Sequence, residues 1–117
     1  MLLSLFGLFG AKAQNDLTTE EFAKALTPET CLIDVRTHAE YKDGHLAGAV
    51  NIDWFGSHFV DKVKEKYDKT TPLYLYCRSG KRSAAAAKAL AKEGYTVYNM
   101  LGGYKAWLKE ERPVMAE

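Results

Sequence analysis

A chain of 117 residues with a net charge of +1, 47% apolar and 26% charged residues, has the make-up of one ordinary globular domain built on a single modest core. That near-neutral balance excludes nucleic acid or an anionic membrane surface as a partner recruited by bulk charge. Two cysteines, Cys31 and Cys77, and three scattered histidines, His38, His45 and His58, fit neither a disulfide scaffold nor a zinc site, so no metal and no cofactor is expected.

The chain opens on an apolar run, Leu2 to Phe9, followed by Ala11 and Ala13 in the small-x-small form of a signal-peptidase site. The run is too short to cross a bilayer, and no lysine or arginine precedes it. Residues 1–14 therefore read as an export signal to the periplasm or as the flexible leader of a cytoplasmic protein, and residues 15–117 as the domain. Thr18-Thr19-Glu20-Glu21 forms a capping box that starts a short helix, with Phe22, Ala25 and Leu26 on one apolar face and Pro28 ending it. Cys31 to Val35 is a strand buried on both faces. A helical turn over Thr37 to Lys42 follows, then a loop at Asp43-Gly44, a short strand over Ala49 to Ile52, and a helix over Phe59 to Tyr67.

The second half repeats the alternation. Pro72 to Tyr76 predicts a buried strand, Cys77 to Lys81 a loop, and Arg82 to Glu93 an alanine-rich helix stopped by Gly94. Thr96 to Met100 is a further strand, Gly102-Gly103 breaks it, and Tyr104, Trp107 and Leu108 form the stripe of a last helix. Strands alternating with helices at these lengths make an α/β fold, a small central parallel sheet flanked by helices on both faces. Ligands of such sheets bind beyond the carboxyl ends of the strands. Asp34-Val35-Arg36 and Tyr76-Cys77-Arg78 both stand at such ends and are expected to share one crevice.

Cys77-Arg78-Ser79-Gly80-Lys81-Arg82 lies between a strand and the first turn of a helix. Free amides at the helix start make an anion nest, the helix dipole adds partial positive charge, and Arg78, Lys81 and Arg82 add three full cations. A thiol in that field ionises more readily than a free cysteine, with its pKa of about 8.5, and becomes a nucleophile. Gly80 supplies the backbone freedom that the curled loop needs. Cys31, three residues before Asp34, sits about 10 Å back along its strand at ~3.3 Å per residue, too far for a disulfide, and reads as a core residue. Tyr74, Tyr76 and Tyr98 read as sheet packing, and His45 as a structural loop residue.

In four places, in the right order, the sequence resembles the single-domain rhodaneses: Asp34-Val35-Arg36; Glu40-Tyr41 with Gly44-His45-Leu46-Ala47-Gly48-Ala49-Val50-Asn51-Ile52; Tyr76 to Ser83; and Leu101-Gly102-Gly103-Tyr104-Lys105-Ala106-Trp107. The resemblance spans about Thr18 to Arg112. It implies a sulfurtransferase in which Cys77 takes the outer sulfur of thiosulfate or a related small sulfur-containing anion, holds it as a persulfide, and passes it to cyanide, a thiol or a thiol protein. By that match Arg78, Ser79, Gly80, Lys81, Arg82 and Ser83 hold the anion and the persulfide. Asp34, Arg36 and Glu40 stand behind them: Arg36, at its strand end facing the loop, is open to two readings, contact with substrate or an ion pair with Glu40 that holds the crevice wall. A monomer is expected. Two other functions use similar loops. A persulfide relay or regulatory module would work with protein partners. A phosphatase or arsenate reductase would place five residues between cysteine and arginine, where this chain has four between Cys77 and Arg82.

Overall fold

The computed structural model describes residues 14–115. Leu2–Phe9 and the Ala11/Ala13 pair lie outside the described residues. Five strands, β1 (Gln14–Leu17), β2 (Cys31–Asp34), β3 (Val50–Asn51), β4 (Leu73–Tyr76) and β5 (Val97–Met100), form one parallel sheet in the order β1-β5-β4-β2-β3. Five helices connect or follow them: α1 (Thr19–Ala25), α2 (His38–Asp43), α3 (Phe59–Lys66), α4 (Lys81–Lys92) and α5 (Gly103–Lys109).

The first two helix starts trace to local chemistry. Thr18 accepts from the Glu21 amide at 3.1 Å, and the Glu21 carboxylate accepts from the Thr18 amide at 2.9 Å, so α1 begins where its capping box predicts. Thr37 and Glu40 make a second box at the start of α2, where the sequence pattern predicts only a helical turn. The edge strand β1 is the element that the sequence does not announce. Its residues Gln14, Asn15, Asp16 and Leu17 alternate exposed and half-buried, and only Leu17 carries an apolar side chain. Pairing with β5 and not a hydrophobic run creates it, and Gln14, grouped with the leader on sequence, is its first residue.

Two apolar layers sandwich the sheet. On one face Ile33, Leu73, Leu75, Cys77 and Val97 pack with Phe59 and Val63 of α3 and Ala86, Ala87 and Leu90 of α4. On the other, Leu32, Tyr76 and Met100 pack with Phe22 of α1 and Tyr104 and Trp107 of α5. Leu108, expected in the α5 stripe, is instead 46% exposed, because Tyr104 and Trp107 already fill the narrow contact that a seven-residue helix makes. Cys31 is a free thiol packed against the first layer. Its register partner is Leu73, four residues before Cys77, so the two cysteines are far apart along the sheet.

The second layer holds a buried polar knot. The Arg36 guanidinium donates to both Asp34 carboxylate oxygens, at 2.6 to 3.1 Å, and to the Gly44 carbonyl at 2.6 Å, while lying over the Tyr104 ring at 4.2 Å. The Tyr76 hydroxyl donates to Asp34 at 2.8 Å and accepts from the Leu46 amide at 3.0 Å. Tyr76 is therefore more than sheet packing: it ties β4, β2 and the loop after α2 together. Burial and the neighbouring Asp34 charge hold its phenol well above the ordinary range, so it remains a donor at any working pH.

Replacing Tyr76 by Phe should leave the Leu46 amide and an Asp34 oxygen each short of a partner. The expected loss is about 1–3 kcal/mol, read as a lower urea midpoint with an unchanged denaturant slope.

Candidate active site

The carboxyl ends of β2 and β4 lie side by side, with Asp34 opposite Tyr76 and the Val35 amide bonded to the Tyr76 carbonyl at 3.0 Å. Asp34-Val35-Arg36 and Tyr76-Cys77-Arg78 thus leave the sheet at one place, as the strand pattern predicts. Their side chains then divide between its faces. Asp34, Arg36 and Tyr76 turn into the α1/α5 layer, whereas Cys77 belongs to the α3/α4 layer.

Cys77 is fully buried. Its Sγ accepts from the Gly80 amide at 3.1 Å and from the Ser83 hydroxyl at 3.3 Å. Gly80 caps α4 with a φ of +101°, a left-handed conformation that lets the chain curl over the sulfur into the helix. Burial opposes a charge on Cys77. The Ser83 hydroxyl and the amides of Ser83, Gly80 and Ser79 outweigh it, and the thiol is held below its ordinary value. The groups hydrogen-bonded to the sulfur are neutral donors, and the Arg82 charge acts on it electrostatically. Ser83, at the end of the predicted loop residues, is the side chain in direct contact.

The loop is fixed equally firmly from behind. The Tyr104 amide donates to the Cys77 carbonyl at 2.8 Å, and the Lys105 amide to the Arg78 carbonyl at 3.0 Å. A Cβ on Gly103 would stand 2.5 to 2.6 Å from those same carbonyl groups. The absence of a side chain there lets α5 press its free amides onto the loop. Gly103 is a positioning residue that the sequence quotes in its last motif but whose task only the packing reveals.

The cations are deployed unequally. Arg82 makes a two-pronged pair with Glu40, at 2.8 and 3.0 Å, and lies 5.7 Å from the Phe55 ring centroid. Arg78, Ser79 and Lys81 are exposed, and neither Arg78 nor Lys81 pairs with a carboxylate among the described residues. Neither reading of Arg36 holds: it is buried away from substrate, and it does not pair with Glu40. Arg36 turns inward to Asp34, and Glu40, oriented by its capping box with Thr37, meets Arg82 instead. With 3% of its surface exposed, Arg36 braces the frame and offers nothing to a ligand. The Arg82 hydrogen bonds, working against partial burial, pull Glu40 down to about 2.

His45 is buried, bonds the Tyr41 carbonyl at 2.8 Å and stacks on the Tyr41 ring at 3.8 Å, a structural placement. An apolar groove of about 520 Å³ opens elsewhere, between Leu26, Leu32, Leu46, Trp107 and Val114, and contains no residue of the Cys77 loop. Among the described residues no cluster of three or more His, Cys, Asp or Glu could hold a metal ion, and no helix is long and apolar enough to cross a membrane.

A family model described as the rhodanese-like domain matches residues 18–110. The chain is 36% identical over 104 residues to the uncharacterized protein YqhL of Bacillus subtilis, covering 86% of this chain and 77% of that one. It is 32% identical over 94 residues to the chloroplastic thiosulfate sulfurtransferase 16 of Arabidopsis thaliana, covering 72% and 78%. A solved rhodanese-like domain protein from Staphylococcus aureus superposes with a TM-score of 0.75 at 26% identity, covering 88% of this chain and 98% of that one.

The hydrogen bonds to Sγ predict that Ser83→Ala moves the midpoint of Cys77 alkylation against pH upward, while the wild-type midpoint lies below that of the unfolded chain. Glu40 carries a second expectation. Its depressed value means that the Arg82 pair contributes stability in full above the usual carboxylate value of 4.5 and loses it as pH falls toward about 2. Glu40→Gln should lower stability at neutral pH by roughly 1 kcal/mol and flatten the acid-unfolding curve across that window.

Proposed function

The chain belongs to the rhodanese-like domain family, and from that premise we propose that it is a sulfurtransferase in which Cys77 carries the transferred sulfur as a persulfide. The observation that carries the reading is the single thiol set at the start of α4, with amide and hydroxyl donors turned toward its sulfur.

That geometry supports the following chemistry. The Cys77 thiolate attacks the outer sulfur of thiosulfate or a related anion, the bond between the two donor sulfurs breaks, and its electron pair leaves on sulfite. The charge then rests on the outer sulfur of a Cys77 persulfide. Amides that favour a thiolate favour that anion too, and they are in place before the reaction, so no solvent has to reorganise around it. The donors that favour the thiolate do the work a general base would otherwise do in freeing the nucleophile of its proton. Attack by cyanide or a thiolate on the outer sulfur breaks the persulfide bond and returns its electron pair to Cys77. Ser79, Gly80 and Ser83 serve as donors to the sulfur, while Arg78 and Lys81 draw anions to the mouth of the loop by charge. Arg82, held by Glu40, keeps the first turn of α4 in position and adds its charge to the wall.

The test is direct. Protein incubated with thiosulfate, then desalted without reductant, should gain the mass of one sulfur atom, and Cys77→Ser should gain none. Retention of the unmodified mass by demonstrably reduced wild-type protein would remove thiosulfate as donor.

A further inference from the structure

Two large apolar side chains stand in water beside the Cys77 loop, and the sulfur chemistry uses neither. Phe55 is 70% exposed and rests by the guanidinium of Arg82. It sits on the segment after β3, which runs along the exit of β2 through the bonds of the Ile52 amide to the Asp34 carbonyl and the Trp54 amide to the Val35 carbonyl. Leu101 is 47% exposed, and its Cα lies 4.0 Å from where a Cβ of Gly80 would be. The loop between them presents Arg78 and Lys81 to solvent. Of the two carboxylates nearby, Glu40 is neutralised by its ion pair with Arg82, while Asp53 accepts from the Phe55 amide at 2.9 Å and keeps its charge beside two exposed cations. The surface around the buried thiol is therefore apolar at two edges and cationic in the middle.

A small inorganic anion has no apolar surface for Phe55 or Leu101 to cover, and cyanide has none either. Cys77 itself is fully buried, so the group that collects its sulfur must protrude into the loop. Exposed aromatics beside positive charge are the features of a protein contact, in which apolar anchors supply affinity and the charges select the partner and its orientation. We propose that the rim formed by Phe55, Arg78, Lys81 and Leu101 docks an acidic protein segment that carries the sulfur-accepting cysteine flanked by apolar side chains. This rests on the reading of Cys77 as a sulfur carrier and names the acceptor class of that site. The step balances as a thiol exchange: the acceptor thiolate bonds to the outer sulfur of the Cys77 persulfide, the old sulfur–sulfur bond breaks, and its electron pair restores the Cys77 thiolate.

Docking is measured apart from sulfur transfer. Two short fluorescein-labelled peptides serve as probes, each with serine in place of the accepting cysteine and a leucine beside it. One is flanked by glutamates, the other by lysines. Anisotropy titrations on the Cys77→Ser protein should give about tenfold tighter binding of the glutamate peptide, weakening as salt rises. Phe55→Ala and Leu101→Ala, both at exposed positions that leave the core intact, should each reduce its affinity several-fold. Equal affinity for the two peptides, or indifference to both truncations, overturns the proposal. Sulfur loading of the wild-type protein by thiosulfate is read separately, so a protein that loads but does not discriminate the peptides has a small-molecule acceptor. One that discriminates them but does not load keeps the docking surface and loses the thiosulfate donor.

Discussion

A peptide plane carries a donor on one edge and an acceptor on the other, and a loop that must present its donors to a ligand has to satisfy its acceptors elsewhere. The Cys77 loop meets that constraint by lying between two helix starts. The amides at the beginning of α4 turn toward the sulfur, and the amides at the beginning of α5 take up the Cys77 and Arg78 carbonyls. The peptide between Arg78 and Ser79 is held on both edges: its carbonyl accepts from Lys105 and its amide favours the Cys77 charge. The loop's geometry therefore depends on the separation of those two helix starts.

The separation is set from the other side of the sheet. Asp34, Arg36 and Tyr76 join β2, β4, the Gly44–Leu46 loop and the Tyr104 ring of α5 in one buried network. A buried ion pair costs much of its Coulombic gain in lost hydration, and its value here lies in register more than in stability. Arg36 in any other rotamer would leave a carboxylate, a phenol and a carbonyl with missing partners. The network thereby fixes where α5 begins, and so where the loop carbonyls find their donors.

Much of this was legible in the sequence. The alternation of elements gave the parallel sheet, the Thr18 and Glu21 spacing gave the start of α1, and the placement of Cys77 ahead of an alanine-rich helix marked the candidate nucleophile. The partnerships of the charged residues were not legible. Asp34, Arg36, Glu40 and Arg82 can pair in several ways, and the choice depends on which face of the sheet each side chain takes. One clue was available: Thr37 and Glu40 form a capping box, which pins Glu40 to its own helix and turns it toward α4. The role of Gly103 was hidden because a close backbone approach leaves no pattern in one chain. β1 was hidden because an edge strand needs neither a long run nor an apolar face.

Because the sulfur is held by main-chain amides and one serine hydroxyl, the environment that favours its thiolate is largely independent of the side chains on the loop's outer surface. Arg78 and Lys81 are exposed and are not among the donors to Sγ, so their replacement alters what approaches the thiol more than how the thiol behaves. A scaffold wired in this way can change its clientele by surface substitution alone, with the reaction itself conserved in the backbone.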